Sequence, residues 1–151
     1  MHYVEEPGDR NNAAILVRCD SGFVFIYTHR PSNDGYFIEV PRGGGEEGET
    51  GRECAVRELC EETGISILAD DMKYLGTVRP NTGMMKSKAE VFLVDLGPVP
   101  VLSIVLGGEG TERMWIIGDD RIHDAVETGM IVDGFTLSAL ALYWSDSKVG
   151  L

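Results

Sequence analysis

Glu58, Glu61 and Glu62 stand at spacing i, i+3, i+4. On a helix, at about 100° per residue, that spacing puts three carboxylates on one face. Like charges so placed destabilise a helix by a few tenths of a kcal/mol per pair. The arrangement makes chemical sense if a divalent cation holds them. Hard oxygen ligands suit Mg²⁺, with Mn²⁺ as a substitute. Mg²⁺ takes few protein ligands and leaves its other positions to water and phosphate oxygens. The helix has legible ends. Thr50 is a candidate N-cap, Glu53 completes a capping-box pattern, no proline intervenes, and Gly64 is a natural stop. Ala55, Val56, Leu59 and Cys60 fall on the other side and are expected to pack on a sheet. The approach, Pro41-Arg42-Gly43-Gly44-Gly45, has glycines that let the backbone turn sharply and come close to a ligand. The bland alternative, an acidic solvated face, explains neither the spacing nor the glycines.

Residues 43–65 read GGGEEGETGRECAVRELCEETGI. This stretch resembles the signature of the Nudix hydrolase family, GX5EX7REUXEEXGU with U aliphatic, and every fixed position is filled. The resemblance implies a Nudix fold, an α/β/α sandwich with a mixed β-sheet, and hydrolysis of a nucleoside diphosphate linked to another moiety. It implies metal ligands at Glu58, Glu61, Glu62 and the Arg42 carbonyl. It gives Gly43, Glu49, Arg57 and Gly64 structural roles, with Glu49 and Arg57 bracing the loop against the helix. It also makes a homodimer the family-level expectation.

The flanks are similar to the ADP-ribose and ADP-sugar pyrophosphatase branch. Pro80 lies sixteen residues after Gly64 and opens Pro80-Asn81-Thr82-Gly83, followed by Glu90 and an apolar run. A strand carrying Trp115 precedes a helix, a Gly129-Met130-Ile131-Val132-Asp133 turn and a Leu- and Ala-rich helix. Phe37 to Pro41 resembles that branch's entrance to the motif. One departure is the short stretch before the first strand, where known members carry extra strands; a broader enzyme acting also on dinucleotides fits as well. For ADP-ribose the resemblance implies AMP and ribose 5-phosphate as products. It places the general base on a motif glutamate, Glu58 or Glu61, or on the loop before the tryptophan strand, where Glu109 and Glu112 match. Arg30, and Arg79 beside Pro80, are candidates for phosphate or ribose, since arginine forks suit phosphate oxygens. Phe23, Tyr27 and Tyr36 are candidates either to stack on adenine or to fill the core, and His29 is the nearest histidine.

Around the motif, strands are expected at Ala13 to Cys19, Gly22 to Thr28, Tyr36 to Val40, Met72 to Arg79, Lys88 to Leu96 and Arg113 to Ile117. His29 to Gly35 and Asn81 to Ser87 read as loops, and Gly97 to Thr111 as irregular with VLSIVL as a possible short strand. A helix is expected from Asp119 to Thr128, capped by Asp119-Asp120. A last helix runs from Thr136 to Ser145 with Asp133 or Gly134 near its cap. Strands on either side of a helix, with helices at the end, give an α/β class.

The 151 residues fit one domain, 1–151, with a sizeable core. The net charge of −12 argues against non-specific nucleic-acid binding, since no basic patch offsets it. A nucleotide is still admissible, because bound metal inverts the local sign. Cys19, Cys54 and Cys60 are odd in number and lack metal-site spacing, so they read as reduced thiols of a cytoplasmic protein. No apolar run reaches membrane-spanning length. Three rival functions remain open: a nucleoside triphosphate pyrophosphohydrolase, an RNA-decapping enzyme, which the acidic surface disfavours, and a non-catalytic nucleotide-binding module, which would ordinarily have lost a motif glutamate.

Overall fold

The computed structural model describes residues 10–98 and 113–146. The expected strand in VLSIVL and the loop glutamates Glu109 and Glu112 lie outside the described residues. Seven strands form one mixed sheet: β1 Asn12–Cys19, β2 Gly22–Arg30, β3 Gly35–Glu39, β4 Arg42–Gly43, β5 Lys73–Val78, β6 Ala89–Asp95 and β7 Arg113–Ile117. The order is β3-β2-β1-β6-β5, with β4 pairing β1 and β7 pairing β2. β1 and β6 run parallel from Asn12↔Ala89 to Arg18↔Asp95; the other pairings are antiparallel.

β1 is apolar on both faces because it is covered on both, as central strands of layered sheets are. Ala13, Ile15, Val17 and Cys19 face one core, beneath helix α1 (Gly51–Thr63), with Cys54, Ala55 and Leu59. Ala14 and Leu16 face the other. That second core is covered by α2 (Ile122–Glu127) and α3 (Gly134–Ser145), through Ile122, Ala125, Ala139 and Leu140. The expected α/β/α sandwich is what forms.

Four local expectations need correction. β2 runs two residues beyond Thr28, to Arg30, because His29 and Arg30 find partners in Tyr36 and Gly35 of β3. Helix α2 starts at Ile122, and no side chain caps it. Asp119 is drawn away by Arg18, which grips it with two guanidinium nitrogens. Cys60 is exposed, and Cys54 takes the buried place on α1. The last helix begins at Gly134, two residues early, with Asp133 as its cap.

The ends of α1 form as local chemistry dictates. The Thr50 side chain accepts from the Glu53 amide at 3.1 Å, and the Glu53 carboxylate accepts from the Thr50 amide at 3.3 Å. Gly64 ends the helix in the left-handed region at φ 75°, where glycine carries no Cβ penalty.

Candidate active site

The site lies where three pieces meet: β4, the glycine-rich turn after it, and α1. β4 is fixed by two pairs with β1, Ala13↔Gly43 and Ala14↔Arg42. The turn is tied to the strand's start. Asn12 Oδ1 accepts from the Gly45 amide at 3.1 Å, and Asn11 Nδ2 donates to the Glu49 carbonyl at 3.0 Å. Helix α1 then crosses so closely that a Cβ on Gly43 would fall inside the Glu58 carboxyl group. Only glycine lets that carboxyl sit against the strand.

Arg57 organises the acidic face. Its Nε and Nη2 donate to Glu49 at 2.9 and 3.0 Å, and Nη2 also donates to the Gly44 carbonyl at 2.9 Å. Helix and turn are thereby braced. Arg57 Nη1 donates to Glu58 at 2.9 Å and to Glu61 at 3.2 Å. Glu62 accepts from the Arg42 amide at 3.1 Å. Arg57 holds the Glu49 carboxyl well down, to about 2. Burial pushes the Glu58 carboxyl up, against the opposing pull of Arg57. Burial, together with the charge of Glu49, pushes the Cys54 thiol up to about 12. Cys54 is therefore a neutral thiol, 3.6 Å from the Gly43 carbonyl, and not a reactive one.

Among the described residues, no three His, Cys, Asp or Glu side chains converge closely enough, as now oriented, to hold a cation. The donor set nevertheless fits a hard divalent ion. Glu58 and Glu61 meet at one cationic nitrogen, Arg57 Nη1. Glu62 is fastened to the same loop by the Arg42 amide. All of these donors are oxygens, as Mg²⁺ and Mn²⁺ require.

Beside this face opens a cleft of about 220 Å³, lined by Asn12, Arg30, Arg42, Gly43, Gly44 and Phe135. Arg30 lines this cleft, and its guanidinium is also engaged. Its Nε and Nη2 donate to Glu39 at 3.0 and 2.6 Å. Glu39, 2% exposed, sits within 3.1 Å of Arg42 Nη1 as well. Arg79 and Pro80 do not line this cleft. Both are exposed, and Arg79 donates to the Lys86 carbonyl at 3.0 Å. They lie next to its rim in sequence, since the preceding Val78 pairs with cleft residue Ala89.

A second cleft, of about 300 Å³, is lined by Tyr27, Tyr36, Ile38, Trp115 and Met130. The Tyr27 ring lies 5.2 Å from both Tyr36 and Trp115, at interplanar angles of 20° and 38°. Tyr36 and Trp115 are 62% and 43% exposed. His29 is exposed and packs on Tyr36 at 5.0 Å. Phe23 is core, 1% exposed and edge-on to Tyr143 at 5.4 Å. Arg42 in the other cleft follows Ile38 in this one by four positions, so the two are at most about 14 Å apart along the chain.

Sequence reasoning missed three contributors. Asn12, Glu39 and Phe135 carry no local signal, because their partners are distant in sequence. Glu90 reaches the first residue of α1, where a Cβ on Gly51 would lie 2.7 Å from its carboxyl carbon. Among the described residues the three cysteines are free, and no helix is long and apolar enough to cross a membrane.

The family model of the NUDIX domain matches residues 8–113. No curated protein matches by sequence. A solved structure described as an ADP compounds hydrolase superposes with a TM-score of 0.72, over 92% of this chain and 73% of that one, at 22% sequence identity. That likeness is one of fold.

Proposed function

The chain belongs to the Nudix family, and on that premise we propose that it hydrolyses the diphosphate linkage of ADP-ribose or a related ADP-linked sugar or dinucleotide, releasing AMP and a phosphorylated moiety. The observation that carries this reading is the directed set of carboxylates. Glu58 and Glu61 converge on one Arg57 nitrogen, and Glu62 is tied to the Arg42 amide, all beside a cleft lined by two arginines.

Glu58, Glu61, Glu62 and the Arg42 carbonyl would hold Mg²⁺ or Mn²⁺. When bound, the ion supplies charge neutralisation for the diphosphate and a lowered pKa for water. Arg30 and Arg42 orient phosphate oxygens on the other wall, where guanidinium forks match their geometry. Glu39, buried between the two guanidiniums, keeps them aimed at the cleft and offsets their mutual repulsion. Glu58 or Glu61 takes the proton of the attacking water, or a glutamate of the preceding loop, Glu109 or Glu112, does so. Catalysis of this kind is mostly positioning and charge stabilisation.

The aromatic cleft suits a flat heterocycle. The exposed Tyr36 and Trp115 rings flank the half-buried Tyr27 ring, each at 5.2 Å from it. A nucleoside triphosphate would fit the same two clefts, and products separate the readings: AMP plus a sugar phosphate, or a monophosphate plus pyrophosphate.

Two measurements test the proposal. A panel of ADP-ribose, ADP-glucose, diadenosine polyphosphates, NADH and nucleoside triphosphates, assayed with Mg²⁺, should show turnover with AMP among the products. Glu61→Gln should cut kcat by several orders of magnitude in a folded protein. A loss below about tenfold, roughly 1.4 kcal/mol of barrier, would remove Glu61 from the machinery. No turnover across the panel would leave a nucleotide-binding module.

A further inference from the structure

We infer that Asp133 is a positioning residue for the cation-binding loop: through Arg42 it ties the N-terminal turn of α3 to the carboxylates of α1. The inference rests on the metal-dependent reading above.

The starting observation is that Asp133 does more than a cap needs. Its Oδ2 accepts from the Thr136 amide at 3.0 Å, the ordinary N-cap bond, and from the Thr136 hydroxyl at 2.8 Å. Serine or asparagine would cap as well, so capping alone does not call for a charge. The charge has another partner. Arg42 Nη1, ninety-one residues away, donates to the same oxygen at 2.7 Å.

Arg42 is enclosed from three sides. Asp133 takes its Nη1, buried Glu39 lies 3.1 Å from that nitrogen, and the Phe135 ring covers the guanidinium with its centroid at 4.7 Å. Phe135 and Asp133 both belong to the start of α3. A third tie runs beside these, since the Thr136 hydroxyl accepts from the Val40 amide at 3.0 Å, in a buried position. Glu39, Val40 and Arg42 are thus all registered to one turn of α3 or to its contacts.

The consequence reaches the opposite layer. The Arg42 amide holds Glu62 of α1 at 3.1 Å. A guanidinium fixed at its tip limits where its own backbone can stand, and that backbone positions Glu62 and the loop that faces Glu58. Loss of the Asp133 charge frees the tip while leaving the α3 cap formed. The expected cost is a misplaced loop, not an unfolded helix. Small displacements of ligating or positioning groups are costly in catalysis.

The test uses the full chain and Mn²⁺ as probe, with binding read by calorimetry or electron paramagnetic resonance. Asp133→Asn and Asp133→Ser retain a capping side chain and should weaken Mn²⁺ binding at least fivefold. They should also lower kcat. Asp133→Glu, which keeps the charge, should recover at least half of the lost affinity. Arg42→Lys leaves the cap untouched and should weaken Mn²⁺ comparably. The double variant Asp133→Asn/Arg42→Lys should be no weaker than the weaker single one, the signature of a shared path. If Asp133→Asn fails to fold, Arg42→Lys carries the test alone. Mn²⁺ affinity within twofold of wild type in the folded variants overturns this inference and spares the catalytic reading. A wild-type protein that takes up no Mn²⁺ overturns both.

Discussion

Arg57 stands among four carboxylates, those of Glu46, Glu49, Glu58 and Glu61, at 3.7, 2.9, 2.9 and 3.2 Å. The four are not equivalent. Glu49 receives two nitrogens of the fork, and its carboxyl falls from 4.5 to about 2. Glu58 receives one nitrogen, and burial outweighs that, so its carboxyl moves up. A single guanidinium therefore divides the acidic face into a brace that stays ionised until strongly acid pH and a carboxyl whose charge burial disfavours. The brace has a pH signature. Its folded-state value lies below the ordinary one, so the unfolded chain binds the proton first as pH falls. The pair's stabilisation is complete above about pH 4.5 and is lost as pH falls towards about 2. Glu49→Gln should be less stable than wild type at pH 7, and the gap should close across that window. Urea midpoints of both proteins, compared pH by pH, measure it; a gap of constant size down to about pH 2.5 would show that Arg57 holds Glu49 without shifting it.

At the level of elements, legibility in the sequence followed the range of the interactions. Helix α1 was readable end to end because its cap, its box partner and its terminal glycine all lie within a few residues of the bonds they make. Removing Thr50's hydroxyl should accordingly act locally. Thr50→Ala should cost about 1 kcal/mol, lower Tm by a few degrees, and leave Mn²⁺ binding intact; an unchanged Tm would mean that tertiary packing alone holds the helix start. The opening of α2 was misread because Asp119, a good capping residue by type, is claimed by Arg18 from 101 residues away. The sequence offers Asp133 or Gly134 as the cap of α3, but Asp133's second partner, Arg42, lies ninety-one residues away and leaves no local signal. Cys60, expected on the packing side, is exposed, and Cys54 is the buried cysteine of α1, tucked under the Gly43 carbonyl in a contact set by how α1 crosses β4. The carboxylate face itself was legible because three positions on one helix fix their relative direction without reference to any other element. The clefts beside it are only partly so: Arg30 is a candidate by residue type, whereas Asn12 and Phe135 meet it only once β1, β2 and α3 are assembled.

For the whole molecule, the site bridges two cores that share one sheet. Leu59 of α1 lies in the first and Leu140 of α3 in the second, both with no exposed surface. Truncating a fully buried leucine costs about 2–5 kcal/mol, against a total of about 5–15 kcal/mol for a typical native protein. Because β1 contributes alternate residues to both cores, neither layer should survive loss of the other. Arg42 adds a direct tie, reaching α1 through its amide and α3 through its guanidinium. Leu59→Ala and Leu140→Ala are therefore expected to lower the urea midpoint while leaving the slope of the transition unchanged, since the slope scales with the surface exposed. The two residues sit in separate clusters, so their costs should add to within about 0.5 kcal/mol in the double variant if that protein still folds. A slope reduced by about half in either single variant would mean that one helical layer had already detached before the transition. The cleft between the layers would then be held by the sheet alone, and the coupling from Asp133 to Glu62 would have no rigid frame to act through.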